Sequence, residues 1–411
     1  MKWKTLSLGE LSTSIQPGPF GSQLHSSDYT EEGTPIIMPK DMVNGKVSHS
    51  SLMFVPEECV SRLRRHQVAK GDLMVARKGD VRKCIYISEA EDGWLTGSDC
   101  LKVTLNKEQC EPRFVYYQLR SEYIGRWLEK ISIGATMPSL NTGLLSGIEL
   151  FIPPISIQRK IADILSTYDD LIENNQKQIK LLEEAAQRLY KEWFVNLRFP
   201  GFETTPVVDG VPEGWRFCKL DEVFDYVRGK SYKSEELSEE EGVLMVNLKN
   251  IRAFGGYNRN QEKRFTGKYK DSQIVRGGDI VMGVTDMTKE RRLVGHVALI
   301  PELGEKMTFS MDLIKLIPKM VSNYFLYATM YFGKFSEKIS PLANGTNVLH
   351  LKPEAMMSLE TLVPDKRTLD AYDRLVEPIL KEIESLQNQC GFASEARDRL
   401  LPKFMSGEIE V

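Results

Sequence analysis

The segment GATMPSLNTGLLSGIELFIP, Gly134 to Pro153, has a counterpart 211 positions later: GTNVLHLKPEAMMSLETLVP, Gly345 to Pro364. The identical pairs are Gly134/Gly345, Leu140/Leu351, Glu149/Glu360 and Pro153/Pro364. Apolar residues also coincide at 137/348, 144/355, 145/356, 148/359, 151/362 and 152/363. A spacing of half a 411-residue chain indicates a duplicated domain. Solenoid units repeat every 20–50 residues or so.

Other segments repeat in the same order. WKTLSLGEL (Trp3 to Leu11) matches WRFCKLDEV (Trp215 to Val223), and GTPIIMPKDM (Gly33 to Met42) matches GVLMVNLKNI (Gly242 to Ile251). VAKGDLMVAR (Val68 to Arg77) matches VRGGDIVMGV (Val275 to Val284). Within each half, short apolar runs such as DLMVAR, KCIYIS, LKVTL and IELFIP, or VLMVNL, DIVMGV, HVALI and LIKLI, are bounded by Gly, Pro, Asn and Asp and read as strands. RFVYYQLRSEYIGRWLEKI and SNYFLYATMYFGKFSEKI read as amphipathic helices late in each domain. The fold class expected is α+β, present twice.

Each half closes on a long helical pattern. From Ile157 to Leu197 apolar residues fall at 157, 161, 164, 168, 171, 182, 185 and 189, with Asn175 and Gln178 on the same stripe. In the second half Tyr372, Val376, Ile379, Ile383, Leu386, Cys390, Ala393, Leu400 and Phe404 keep the alternation of fours and threes, interrupted by Arg397. Such a stripe is a coiled-coil seam, and the partner expected for each helix is the other one. Pro378 marks a first turn or a kink. The partition expected is 1–155, a first domain; 156–197, a first spacer helix; 198–214, a Pro/Gly-rich linker; 215–365, a second domain; and 366–411, a second helix with its tail.

Net charge is −3, which does not suggest a general polyanion binder, but the charge is uneven. Between Arg62 and Lys83 eight bases face two acids, and between Lys249 and Arg292 eleven face five. One basic segment per half is the footprint of phosphate contact, the plain alternative being a solvated face. Six scattered cysteines without a C-x-x-C fit reduced thiols in a cytoplasm. No apolar run is long enough for a membrane span, so none is expected. RGKS at Arg228 to Ser231 lacks the earlier glycine of a P-loop, and the five histidines have no metal-ligand spacing. No G-x-S-x-G elbow occurs, and the reading is of a non-catalytic chain.

Two divergent α+β domains alternating with two better-matched helices resemble the specificity subunit of type I restriction–modification enzymes, over the full chain. PGPFGSQLHSSDY followed by EEGTPIIMPKDM is similar to the opening of a target-recognition domain. IELFIPPISIQRKIADIL resembles the entry to the family's first conserved helix, with Ile157 where Glu is usual. FVNLRFPGF…GVPEGW is similar to its linker, and LLPKFMSGEIEV to its closing motif. The resemblance implies two target-recognition domains separated by two long helices, packed as an antiparallel coiled coil with pseudo-two-fold symmetry. It implies that each domain reads one half of a split site in double-stranded DNA. The helices would set the gap and dock two methyltransferase (modification) subunits. Those carry S-adenosylmethionine, and restriction/motor subunits use ATP and Mg²⁺; no cofactor or metal is expected on this chain. A helix of about 38 residues is about 57 Å long at ~1.5 Å per residue, capping the gap near 16 base pairs or so. A reading from another class is a non-catalytic coiled-coil scaffold that binds proteins through its two domains.

Arg and Lys suit guanine, and Asn suits adenine. The first-half candidates for DNA contact are Arg77, Lys78, Arg82 and Lys83 after the GDLMV strand, Lys40, and the loop Gly18, Phe20, Gly21 and Ser22. In the second half they are Lys249, Arg252, Lys263, Arg264, Lys289, Arg291 and Arg292, with Thr285. The repeated segments add Thr136 and Ser139, and Thr346 and Asn347.

Overall fold

The computed structural model describes residues 3–133 and 138–411. Its contacts divide the chain into two compact units, Met1–Asn174 with Gln389–Val411, and Asn175–Asn388. Each long helix contributes a part to both units.

In the first unit β1 (Lys4–Ser7) pairs antiparallel with β9 (Glu149–Ile152), Lys4 opposite Ile152, so the start of the domain is sealed by the repeated segment. Between them lies a four-stranded antiparallel sheet in the order β2 (Ser12–Pro17), β8 (Cys100–Leu105), β5 (Leu73–Ala76), β6 (Cys84–Tyr86). A second sheet centres on β3 (Thr34–Ile37), antiparallel to β4 (Met53–Val55) and parallel to β7 (Leu95–Thr96). Strand β5 is apolar and buried on both faces, as a central strand covered on two sides must be. Leu73 and Val75 face a core with Phe114 and Val115, while Met74 and Ala76 face Ile37, Ile85 and Ile87.

The second unit repeats this plan. Strand β10 (Arg216–Lys219) pairs with β20 (Glu360–Val363). The four-stranded sheet runs β11 (Phe224–Arg228), β18 (Leu313–Pro318), β14 (Ile280–Gly283), β16 (Val297–Leu299). Strand β12 (Val243–Val246) is antiparallel to β13 (Lys263–Phe265) and parallel to β17 (Met307–Phe309). A two-stranded antiparallel ladder pairs β15 (Thr285–Asp286) with β19 (Leu349–His350). Before β10 the linker folds into a hairpin of Val207–Val208 and Val211–Pro212, whose turn residues Asp209 and Gly210 have φ of 51° and 78°.

The two helical stretches late in each domain are divided. In the first, α1 (Pro112–Leu119) stops and α2 (Glu122–Ile131) restarts, because Ser121 caps the new helix by accepting from the Ile124 amide. In the second, α4 (Asn323–Tyr331) and α5 (Ser336–Ile339) are separated at Gly333 and at Lys334, whose φ is 51°. Nor is α4 amphipathic: Phe325 through Met330 are all buried.

Long helix α3 (Ile155–Tyr190) continues into a π-turn, Lys191–Val195, and α6 spans Lys366–Ser406 without a break at Pro378. The buried stripe of α3 departs from the expected one at three of its ten positions, Leu171, Gln178 and Ala185, which are exposed. Ile161 and Asn175 are buried and Ile157, Ile164, Leu182 and Leu189 pack against the cores as expected, but Leu165 is buried in addition, Ala186 is buried in place of Ala185, and Leu171 is 41% exposed. Apolar doublets at 164/165, 171/172 and 185/186 fit either phase; Ile179 in place of Gln178 decides it. On α6, Tyr372, Val376, Ile383, Leu386, Ala393 and Phe404 are buried, Ile379 packs against the core, and Leu380 is buried beside it.

In the first unit, Ile161 and Leu165 share a core with Phe404 and Met405, Cys390 Sγ lies 3.7 Å from the Ile172 carbonyl, and Arg397 meets Asp169 at 2.6 Å. In the second, Phe194 and Tyr190 pack against Tyr372 at ring separations of 4.8 and 6.5 Å.

Candidate nucleic-acid interface

At one end of each domain several strand ends meet, and a set of backbone hydrogen bonds ties their loops together. In the first unit the Gly18 amide donates to Cys100 O (2.9 Å), Arg77 to Asp99 O (2.7 Å), Gly97 to Ile37 O (2.8 Å) and Leu140 to Arg77 O (2.8 Å). The second unit has the same four bonds: Gly229 to Leu313 O (3.1 Å), Val284 to Asp312 O (2.9 Å), Ser310 to Val246 O (2.8 Å) and Leu351 to Val284 O (2.8 Å). Each set forms a cradle of loops. A glycine is needed at its tightest point, because a Cβ on Gly18 would lie 1.8 Å from Gly97 O, and one on Gly229 would lie 2.0 Å from Ser310 O. Gly18 is therefore a packing residue with its amide already engaged.

The repeated segments cross these cradles. In the first unit Lys78 and Ser139 form an isolated bridge; in the second, Thr285 and His350 pair between β15 and β19. Gly134 and Thr136 lie outside the described residues.

Around the first cradle, Phe20 is 46% exposed and the Arg77 guanidinium lies 4.9 Å above its ring, with Gly21 and Ser22 exposed beside it. Lys78 is exposed, 3.2 Å from Asp99, and Ser139 Oγ donates to Ile133 O at 3.0 Å. Other predicted cations are occupied within the fold. Arg82 is paired with Glu122 and Glu129 of α2 and lies over Gly125. Lys83 donates to Pro39 O (3.0 Å), and Lys40 is held by Asp41 and Ser51.

In the second unit Lys249 and Lys289 are exposed, and neither ammonium has an ion pair among the described residues. Lys263 donates to the Tyr232 hydroxyl (3.1 Å), and Arg292 is exposed, 3.6 Å from Glu290. Thr346 and Asn347 are exposed on the approach to β19, while Thr285 is only 7% exposed. Arg264 forms a two-pronged pair with Glu305 (2.9 and 3.2 Å). Arg291 donates to Ser340 O (2.9 Å) and lines a cavity of about 520 Å³ with Lys180, Glu183 and His296. Arg252 likewise faces Glu183, in an adjoining hollow.

The residues that shape the cradles carry no net positive charge, which is why a search for cations passed over them. Asp41 and Asn250, both wholly buried, occupy matching turns after β3 and β12; Asp41 Oδ2 accepts from the Met38 amide (3.0 Å), Asn250 Oδ1 from Asn247 (2.9 Å). Asp286 binds the loop that follows it: Oδ1 accepts from Thr288 N and Oγ1 (2.7 Å each), Oδ2 from the amides of Leu293 (2.6 Å) and Val294 (3.1 Å). Burial pushes the Asp286 carboxyl upward, but these hydrogen bonds outweigh it and hold its pKa below the usual value. The Asp-x-Thr pattern of an Asx-turn was the available signal.

Among the described residues no cluster of His, Cys, Asp and Glu is arranged to hold a metal, and no helix is long and apolar enough to cross a membrane.

The sequence matches the family described as Type I restriction modification DNA specificity domain twice, over residues 1–184 and 212–385. The chain belongs to the type I restriction–modification specificity-subunit family. It is 26% identical to the Type I restriction enzyme MjaIX specificity subunit of Methanocaldococcus jannaschii, covering 93% of this chain and 88% of the relative. It is 21% identical to the HindI specificity subunit of Haemophilus influenzae, covering 99% of each. The crystal structure of the type I S subunit from M. genitalium shares the fold, with a TM-score of 0.64 over 98% of this chain and 96% of that one, at 16% identity.

Proposed function

We propose that this S subunit is the DNA-reading component of a type I restriction–modification enzyme, each domain contacting one half of a bipartite duplex site. The observation that carries this reading is the cradle: four backbone bonds recur, while the side chains mounted on them differ. Arg77 and Lys78 in one half correspond to Val284 and Thr285 in the other. A common frame with divergent side chains is what two readers of unlike sequences require, since base edges are read by side chains and phosphates fix the register. Phe20, Gly21, Ser22, Arg77, Lys78 and Ser139 form the first contact surface. Lys249, Lys263, Thr285, Lys289, Arg292, Thr346 and Asn347 form the second. Arg82, Lys83, Lys40, Arg264, Arg291 and Arg252 support the frame or face elsewhere.

The long helices form an antiparallel coiled coil. In support, Ile172 meets Cys390 and Asp169 meets Arg397 within one unit, so residue numbers ascend on one helix as they descend on the other. An antiparallel pair supplies a pseudo-two-fold axis matching the approximate dyad of a duplex. The helices fix the half-site spacing and dock two methyltransferase subunits, which bring S-adenosylmethionine. Motor-nuclease subunits bring ATP and Mg²⁺, and this chain is non-catalytic.

Co-expression with the methyltransferase and genome-wide mapping of methylated adenine tests the reading. The expected result is one asymmetric two-part motif, with duplex binding that weakens steeply as salt rises. Sequence-independent methylation, or assembly without salt-sensitive DNA binding, overturns it.

A further inference from the structure

The second cradle carries two exposed methionines that the basic residues do not account for. Met287 is 77% exposed and Met311 is 53% exposed. One exposed apolar side chain is ordinary on any surface. These two, however, stand on loops that the cradle bonds bring together. The Met311 amide donates to Lys230 O (2.9 Å), its neighbour Ser310 to Val246 O (2.8 Å), and Asp312 O accepts from Val284 (2.9 Å), one residue before β15, which leads to Met287. Nor is Met287 on a slack loop: it occupies the turn closed by Asp286 Oδ1 on the Thr288 amide at 2.7 Å, and the other Asp286 oxygen pins Leu293 and Val294. The backbone is fixed and the apolar side chain is held in solvent.

The matching positions of the first half, counted from the shared bonds, are Asp80 and Ser98. The methionines are thus a property of one half on a frame common to both. Lys230, Lys249 and Lys289 lie on these loops or on the loops bonded to them, without an ion pair among the described residues, and with Arg291 and Arg292 they outnumber the acidic Glu290 and Asp312 around the apolar points. A ligand that offers phosphates at the rim and an apolar group between them is a DNA groove. Its one apolar major-groove mark is the 5-methyl group of thymine.

We propose that Met287 and Met311 are specificity-determining residues of the second domain, recognising a thymine through its methyl group. The inference rests on the DNA-reading function proposed above. Once the methylated motif is mapped, duplexes carrying that site are made with each thymine in turn replaced by uracil. Each is titrated with the assembled S–methyltransferase complex, wild type and with Met287→Ala, Met311→Ala or both. In the wild type, at least one uracil, confined to one half-site, weakens binding about three- to fivefold, the size expected for one methyl group withdrawn from apolar contact. In the double variant the affinity for the thymine site falls by a similar factor, and that uracil makes no further difference. The proposal is overturned if every uracil duplex binds like the thymine site, or if the uracil loss persists undiminished in the double variant. Both outcomes presuppose a mapped motif and salt-sensitive binding. Without those it is the function itself that has failed, and the two failures are distinguishable.

Discussion

Asp286 shows how one buried side chain can organise a surface that carries charges of the opposite sign. Its two oxygens accept four hydrogen bonds from the loop that bears Lys289 and Arg292. Asp286→Asn keeps the volume but puts an amide donor against donors. The variant should lose about 1.5–3 kcal/mol, the range for hydrogen bonds to a charged acceptor, and lose DNA affinity with it; urea unfolding reads the first and titration the second. Because the folded pKa lies below the unfolded value of 3.8, the carboxylate's contribution is complete above that value and disappears as pH falls through the lower, folded one. The protection of the Leu293 and Val294 amides, relative to their intrinsic exchange rate at each pH, should therefore stay high at about pH 5 in the wild type, fall in strong acid, and already be lost at about pH 5 in the variant. Gly18→Ala and Gly229→Ala meet backbone oxygens, which do not yield as a flexible side chain would. Each should reduce binding and stability together.

At the level of elements, the interruption of the α6 seam at Arg397 becomes a fixed cross-link within the first unit. Its guanidinium lies 2.6 Å from Asp169 Oδ1, the two side chains being 15% and 13% exposed, while the Tyr117 hydroxyl of α1 donates to the other oxygen at 2.6 Å. Burial and the neighbouring carboxylate raise the Tyr117 pKa, so the phenol remains a donor throughout the working range. This triad joins both long helices to the recognition domain. Removing one member leaves an uncompensated buried charge: Arg397→Met should cost about 3 kcal/mol or more. Asp169→Leu, Arg397→Met and Tyr117→Phe together should recover most of it, as thermal unfolding of the wild type, the single variant and the triple variant would show. The contrast also marks the boundary of what the sequence disclosed. The duplication, the strands and the two long helices were legible because periodicity and repetition are local signals. The seam phase was legible only in part, since the doublets 171/172 and 185/186 satisfy either register and only Ile179 beside Gln178 discriminates. Arg82 and Arg264 read as free cations because their carboxylates, Glu122 and Glu305, lie 40 and 41 residues away and arrive only through folding. Asp286 escaped because its work is to accept bonds from the loop, not to present charge.

For the whole molecule, the arrangement of closing strands bears on how recognition can be exchanged. Each domain is sealed by its own first and last strands, β1 with β9 and β10 with β20, in the same antiparallel register. The segments between them, 8–148 and 220–359, are therefore equivalent modules that begin and end at neighbouring points. Placing a second copy of 220–359 in the position of 8–148 preserves both seals and both helices. Under the proposed two-fold arrangement the product carries two identical readers facing opposite strands, so its site must become an inverted repeat of the half read by the natural second domain, with the gap unchanged. Mapped adenine methylation in cells expressing this chain with the methyltransferase should show that palindrome and lose the parental motif. Each mismatched base pair costs about 1–3 kcal/mol, so three altered positions weaken the parental site by at least about a hundredfold. Should the duplicated chain instead keep the asymmetric motif, one of the two domains is not a reader at all. If it methylates a palindrome with a different gap, the spacing is set by the domains and not by the helices.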